Sequence, residues 1–203
     1  MRRLTLIRHG LTEGNVRRWY YGALDLPLCE AGADALREAA AAGLYPPIGQ
    51  AKILTSGLLR TEQTLRLLYG DVPHEVWPDL REISFGIFEG KSYDELNGRA
   101  DYAAWLAGDW FGNVPPGGES FESVIKRTGE FLAELLKTKE YADKTILVST
   151  HGCALKALLA NVRKTPVAEF WGSGVHKNCA VTILETTKDG KQLTVLTEGK
   201  LYY

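Results

Sequence analysis

Two apolar runs in this chain stop at the same dipeptide. "TLIRHG" (5–10) and "TILVSTHG" (145–152) each read as a buried β-strand that ends at a histidine followed by glycine. Continuous aliphatic and β-branched runs suit strands covered on both faces, the condition of a parallel sheet. Arg8 and His9 do not suit such an interior unless an anion lies at the strand's end. A third short strand, "AKILTS" (51–56), leads straight into a segment carrying Arg60.

The stretches between these strands are helical in pattern. "EAGADALREAAAAGL" (30–44) is alanine-rich, with Pro46 and Pro47 expected to close it. Ser56 is placed to cap a helix over "GLLRTEQTLRLLYG", whose Leu58, Leu65 and Leu68 share a face. A weaker strand is expected at 74–78 and a helix near 92–106. Residues 119–140 form an amphipathic helix with Phe121, Val124, Ile125, Phe131, Leu132 and Leu135 on its apolar face. A further helix opens at His151-Gly152. Residues 180–198 read as a hairpin turned at Asp189-Gly190.

Strands alternating with helices predict an α/β fold. The expected form is a three-layer α/β/α sandwich with a mostly parallel sheet and an antiparallel edge. With 203 residues, 45% of them apolar, the chain suffices for one substantial core, so residues 1–203 are expected to form a single domain. The formal net charge of −1 and the lack of any basic run argue against nucleic acid or an anionic membrane as partner. The apolar stretch after the N-terminal arginines ends at Ile7, too short for a signal peptide, and no run is long enough to span a membrane. Cys29, Cys153 and Cys179 are odd in number and lack CxxC spacing, which fits reduced thiols in a cytoplasmic protein.

In open parallel sheets, ligands bind beyond the carboxyl ends of the strands. That rule brings Arg8, His9, Arg60 and His151 toward one place. Any one of them alone has a bland reading; Arg60 on a helix is by default a solvated charge. Their joint occurrence at the ends of independent strands favours a shared site. Gly152 opens a helix whose N-terminal amides favour an anion. Two guanidiniums with imidazoles suit a tetrahedral phosphate dianion, because arginine offers donors in fixed bidentate geometry. The four histidines, His9, His74, His151 and His176, lack metal-ligand spacing, and no metal or cofactor is expected.

The blocks "LIRHGLTEGN", "DLPLCEAG", "TSGLLRTEQT", "LREISFGIFEG" and "VSTHGCALKALL", followed by "KNCAVTILE", resemble in order and spacing the histidine phosphatase superfamily, on its phosphoglycerate mutase-like branch. The resemblance spans essentially the whole chain and implies a phosphoglycerate mutase-like fold. It implies that His9 is the nucleophile that accepts a phosphoryl group. Arg8, Asn15, Arg60, His151 and Gly152 would then bind the phosphate, and Glu82 would be the general acid and base. Read alone, Glu82 is a surface salt-bridge partner of Arg81. Cys153 and Lys156 stand where many relatives carry glycine and arginine, which bears on substrate and not on the chemistry.

The core is common to the mutases and the phosphatases of the superfamily. Residues 86–118, expected to cover the site, hold only Lys91 and Arg99 as cations, against Glu89, Asp94, Glu95, Asp101 and Asp109. They also carry Phe88, Tyr93, Tyr102, Trp105, Trp110 and Phe111. An acidic, aromatic cover disfavours a second anionic group and suits an apolar or ring-bearing one. Trp19, Tyr20, Tyr21, Trp110 and His176 are the candidate substrate-pocket residues. The expected activity is hydrolysis of small-molecule phosphate monoesters through a phosphohistidine. The resemblance leaves open a broad-specificity enzyme and an α-ribazole phosphatase. Its competitors are a phosphoglycerate mutase and a non-catalytic phospholigand-binding member of the family.

Overall fold

The computed structural model describes residues 1–172 and 174–201. In chain order the elements are β1 (Arg3–Arg8), α1 (Glu13–Val16), β2 (Trp19–Tyr20), α2 (Glu30–Ala41), β3 (Lys52–Thr55) and α3 (Leu59–Tyr69). They continue with β4 (Glu75–Val76), β5 (Lys91–Ser92), α4 (Tyr93–Leu96), α5 (Ala100–Leu106) and α6 (Phe121–Lys137). The chain closes with β6 (Thr145–Thr150), α7 (Gly152–Arg163), β7 (Val181–Thr186) and β8 (Leu193–Lys200).

The main sheet has the order β4-β3-β6-β1-β7-β8. β4, β3, β6 and β1 run parallel, and β7 and β8 add the antiparallel edge. Strand periodicity divides the core between the two faces. Leu4 and Leu6 of β1, Leu54 of β3 and Ile146 and Val148 of β6 meet Phe131, Leu132, Leu135, Leu155, Leu158 and Leu159 of α6 and α7. The alternate residues Ile7, Ile53 and Leu147 meet Leu36, Ala39 and Leu65 of α2 and α3. The three-layer sandwich follows from that division. β1 and β6 lie side by side in register, Arg8 opposite Thr150, so the two His-Gly dipeptides leave the sheet together.

Several local expectations change. α2 ends at Ala41, before the prolines, because Gly43 turns the chain at φ +63°. Gly57, at φ +78°, separates Ser56 from α3, whose N-cap is Leu58. The expected helix at 92–106 splits into α4 and α5 around Gly98 at φ +92°. The two-residue strands β2 and β5 pair in a small antiparallel sheet that carries no periodic signal long enough to read. A third cluster, with Ile83, Phe88, Leu96, Tyr102, Trp105 and Phe111 packed on Phe121, Val124 and Ala157, ties residues 86–118 to α6 and α7. No helix among the described residues is long and apolar enough to cross a membrane.

Candidate active site

β1 delivers Arg8 and His9, α3 delivers Arg60, and the β6–α7 junction delivers His151 and Gly152. The His9 and His151 rings lie 5.2 Å apart, centroid to centroid. His9 is 2% exposed and His151 is wholly buried. His9 Nδ1 donates to the carbonyl of Gly10 at 2.7 Å, which fixes the tautomer and leaves the Nε2 lone pair for the cavity that His9 lines. Burial, then the Arg8 and Arg60 guanidiniums, hold His9 well below the usual imidazole range. The residue therefore stays neutral, the state a nucleophile needs.

Arg60 is 0% exposed, not a surface charge. Its Nε donates to His151 Nδ1 at 3.0 Å, and its terminal nitrogens donate to the carbonyls of Leu24 at 3.1 Å and Gly22 at 2.8 Å. Its guanidinium also lies over the Tyr21 ring, 5.1 Å from the centroid. Because arginine can only donate, His151 Nδ1 must accept, and Nε2–H then donates to Ser56 Oγ at 2.7 Å. Burial, followed by Arg60, His9 and Arg8, keeps His151 neutral as well. Arg8 is held by the carbonyl of His176, while its Nε is buried with no partner. A buried and a half-buried guanidinium whose protein partners are almost all neutral form a site that demands an anion.

The α7 N-terminal amides are already engaged. Glu82 Oε1 accepts from the N–H of Cys153, of Ala154 and of its neighbour Ile83, each at 3.1 Å, and Oε2 accepts from Cys153 at 3.0 Å. The acceptor at that helix start is thus Glu82 itself, and Arg81 turns away to the Ser56 carbonyl. Gly152 serves differently. A Cβ there would sit 3.1 Å from Arg8 Cζ and 2.7 Å from Val175 Cγ1, so the glycine makes room for the guanidinium.

Arg8, His9, Asn15, Arg60, Glu82, Gly152 and Cys153 converge on a cavity of about 270 Å³, walled by Trp19, Tyr21, Ile83, Phe85, Phe121, Trp171 and Val175. Of the expected substrate-pocket residues, Trp19 and Tyr21 face it. Three others do not. Tyr20 alternates to the opposite side of β2 and bonds Tyr102 through their hydroxyls at 2.6 Å. Trp110 packs on Phe111, Phe121 and Trp171. The His176 ring turns to Glu198 at 3.1 Å, leaving only its carbonyl at the site. None of residues 86–118 lines the cavity; Phe88, Tyr102 and Trp105 stand behind Phe85 and Phe121 as core.

Two acidic groups of that segment are spent locally. The Glu89 carboxylate accepts from the N–H of Gly22, Ala23, Leu24 and Phe85, and Asp101 pairs with Arg99. Phe85, Phe121 and Trp171 were not foreseeable as wall residues, since in sequence they are ordinary loop or helix-face aromatics. Ser56 was foreseen only as a cap. Among the described residues no group of three or more His, Cys, Asp or Glu side chains is placed to hold a metal ion.

Comparison with known proteins agrees with this geometry. A profile of the histidine phosphatase superfamily (branch 1) matches residues 4–199. An adenosylcobalamin/alpha-ribazole phosphatase of Salmonella typhimurium is 33% identical over 190 residues, 90% of this chain and 91% of the relative. Among solved structures, YhfR of Bacillus stearothermophilus superposes with a TM-score of 0.84 at 29% identity, covering 99% of this chain and 98% of the other. The alpha-ribazole phosphatase of Shigella flexneri also reaches 0.84, at 28% identity over 98% and 96% of the two chains. The chain belongs to the histidine phosphatase superfamily, branch 1.

Proposed function

We propose that this phosphatase of the histidine phosphatase superfamily hydrolyses small monophosphates through a covalent phosphohistidine on His9. The carrying observation is a neutral, tautomer-fixed imidazole facing a cavity between the buried Arg60 and half-buried Arg8 guanidiniums. His9 Nε2 attacks phosphorus while the P–O bond to the leaving alcohol breaks, and protonated Glu82 gives its proton to that oxygen. Oε1 accepts from three amides and Oε2 from that of Cys153 alone, so Oε2 is the oxygen with room to carry the proton. Water then attacks the phosphohistidine, Glu82 takes its proton, and inorganic phosphate leaves. Arg8, Arg60 and Asn15 bear the charge on the non-bridging oxygens. His151, expected as a direct phosphate ligand, has both nitrogens taken by Arg60 and Ser56 and acts by orienting the Arg60 guanidinium.

The substrate class follows from the wall. Among the described lining residues Arg8 and Arg60 are the only cations, so a second phosphate or a carboxylate finds no partner. Trp19, Phe85, Phe121 and Trp171 instead suit a ring-bearing leaving group. α-Ribazole phosphate, the substrate class named for the relatives, fits that description, and a broad set of aromatic monophosphates fits it too. The chain acts as one catalytic domain, with residues 86–118 buttressing the wall. Three free thiols, Cys29, Cys153 and Cys179, support a reducing, cytoplasmic location.

Turnover of a radiolabelled phosphate ester tests the chemistry. Wild-type protein is expected to carry base-stable, acid-labile label that His9→Ala lacks; equal label on both would remove His9 as nucleophile. Glu82→Gln is expected to cost about 10² to 10⁴-fold on alkyl esters and much less on p-nitrophenyl phosphate, whose leaving group needs little proton assistance. Efficient interconversion of 2- and 3-phosphoglycerate without phosphate release would make the protein a mutase.

A further inference from the structure

The "KNCAVTILE" block has no part in the chemistry above, yet it reaches the site. We propose that Asn178 is a positioning residue that fixes which end of the Asn15 amide faces the phosphate; the proposal rests on the reading of Asn15 as a phosphate ligand. Asn178 Nδ2 lies 3.1 Å from the carbonyl of His9, 3.2 Å from that of Gly10 and 3.0 Å from Asn15 Oδ1.

The orientation follows by elimination. Backbone carbonyls only accept, so the side of Asn178 that faces His9 and Gly10 must be its NH₂. That donor and the backbone N–H of Thr12, at 3.2 Å, both point at one atom of Asn15, which must therefore be its oxygen. Thr12 Oγ1 adds a third bond at 3.0 Å, itself set by Tyr21 Oη at 2.6 Å. With Oδ1 held on three sides, the Asn15 Nδ2 is the group left for the cavity that Asn15 lines. A reversed amide would present a carbonyl to the phosphate, a repulsion in place of a hydrogen bond.

The Gly10 carbonyl that receives Asn178 is also the one that fixes the His9 tautomer. Asn178 thus stands between nucleophile and phosphate ligand, contributed from 163 residues along the chain from Asn15. Its loop is anchored beside it. Cys179, at φ +65°, aims its N–H at the carbonyls of Arg8 and His9, and the His176 carbonyl holds Arg8. This one strap addresses three consecutive residues at the end of β1.

A double-mutant cycle on inorganic phosphate binding tests this, with Asn15→Ala, Asn178→Ala and the pair, each checked for a wild-type thermal transition. Asn15→Ala is expected to weaken phosphate about ten-fold, the worth of one hydrogen bond to a charged group. Asn178→Ala is expected to weaken it about three- to ten-fold, and the pair to match Asn15→Ala within two-fold. A merely structural role would instead multiply the two losses, and that result, or no loss in Asn178→Ala, overturns the proposal. Should Asn178→Ala not fold, Asn178→Ser takes its place in the cycle under the same criteria. If Asn15→Ala itself leaves phosphate binding unchanged, the reading of Asn15 falls and this proposal with it. Loss in Asn15→Ala alone overturns only the role of Asn178.

Discussion

At the scale of single residues, the site is built less by groups that reach the cavity than by groups that prevent alternatives. Ser56 and Arg60 occupy both nitrogens of His151, so its ring orientation and tautomer are set before any ligand arrives. Gly152 works by having no side chain. Arg8 Cζ and Nε lie 3.1 and 3.3 Å from where its Cβ would be, closer than such contacts normally run. Gly152→Ala is therefore expected to push the guanidinium by a few tenths of an ångström while Val175, an exposed side chain, yields. Since a misplacement of 1 Å at a reacting centre costs about 10²-fold, the substitution should weaken phosphate binding and kcat/KM about ten-fold. The thermal transition should stay near wild type. Phosphate affinity equal to wild type would show that this clearance does not matter.

Among elements, the strand ends were legible in the sequence and the short segments between them were not. "RHG" and "STHG" close apolar runs, and a parallel sheet leaves little choice about where their last residues go, so Arg8, His9 and His151 could be gathered without coordinates. The 86–118 segment escaped because its aromatics carry no period: the same residue types serve as cavity wall or as backing, and only tertiary packing separates them. Trp105 illustrates the difference. It stacks on Phe121 at 23° and packs edge-on to Phe85, both wall residues, and is 5% exposed. Its Nε1 has no hydrogen-bond partner, so removing the ring forfeits packing alone. Trp105→Ala is expected to lower unfolding free energy by about 3–5 kcal/mol in urea titrations. Inorganic phosphate affinity should change less than about three-fold, because the cradle stands on β1, α3 and the β6–α7 junction. Loss of phosphate affinity in proportion to stability would mean that the segment and the cradle are one cooperative unit.

For the molecule as a whole, assembling the cradle has a cost that pH exposes. Folding buries two imidazoles beside two guanidiniums and holds the pKa of both rings well below the usual imidazole range, so both stay neutral. In the unfolded chain the same rings protonate near pH 6.5. Below that pH the unfolded state binds more protons than the native state, so stability is fully present above pH 6.5 and falls as the solution is acidified. Each histidine adds to that slope in the window between its unfolded and folded values, and the two contributions act in the same direction. Most carboxylates remain ionised between pH 6.5 and 5.5, and add little there. Urea midpoints of wild type are accordingly expected to drop steeply across that unit, and those of His9→Ala about half as steeply, since one buried imidazole remains. A stability that is flat between pH 7 and 5.5 would mean that the folded protein accepts a proton on both of these rings. The neutral nucleophile on which the proposed reaction depends would then be gone below neutrality.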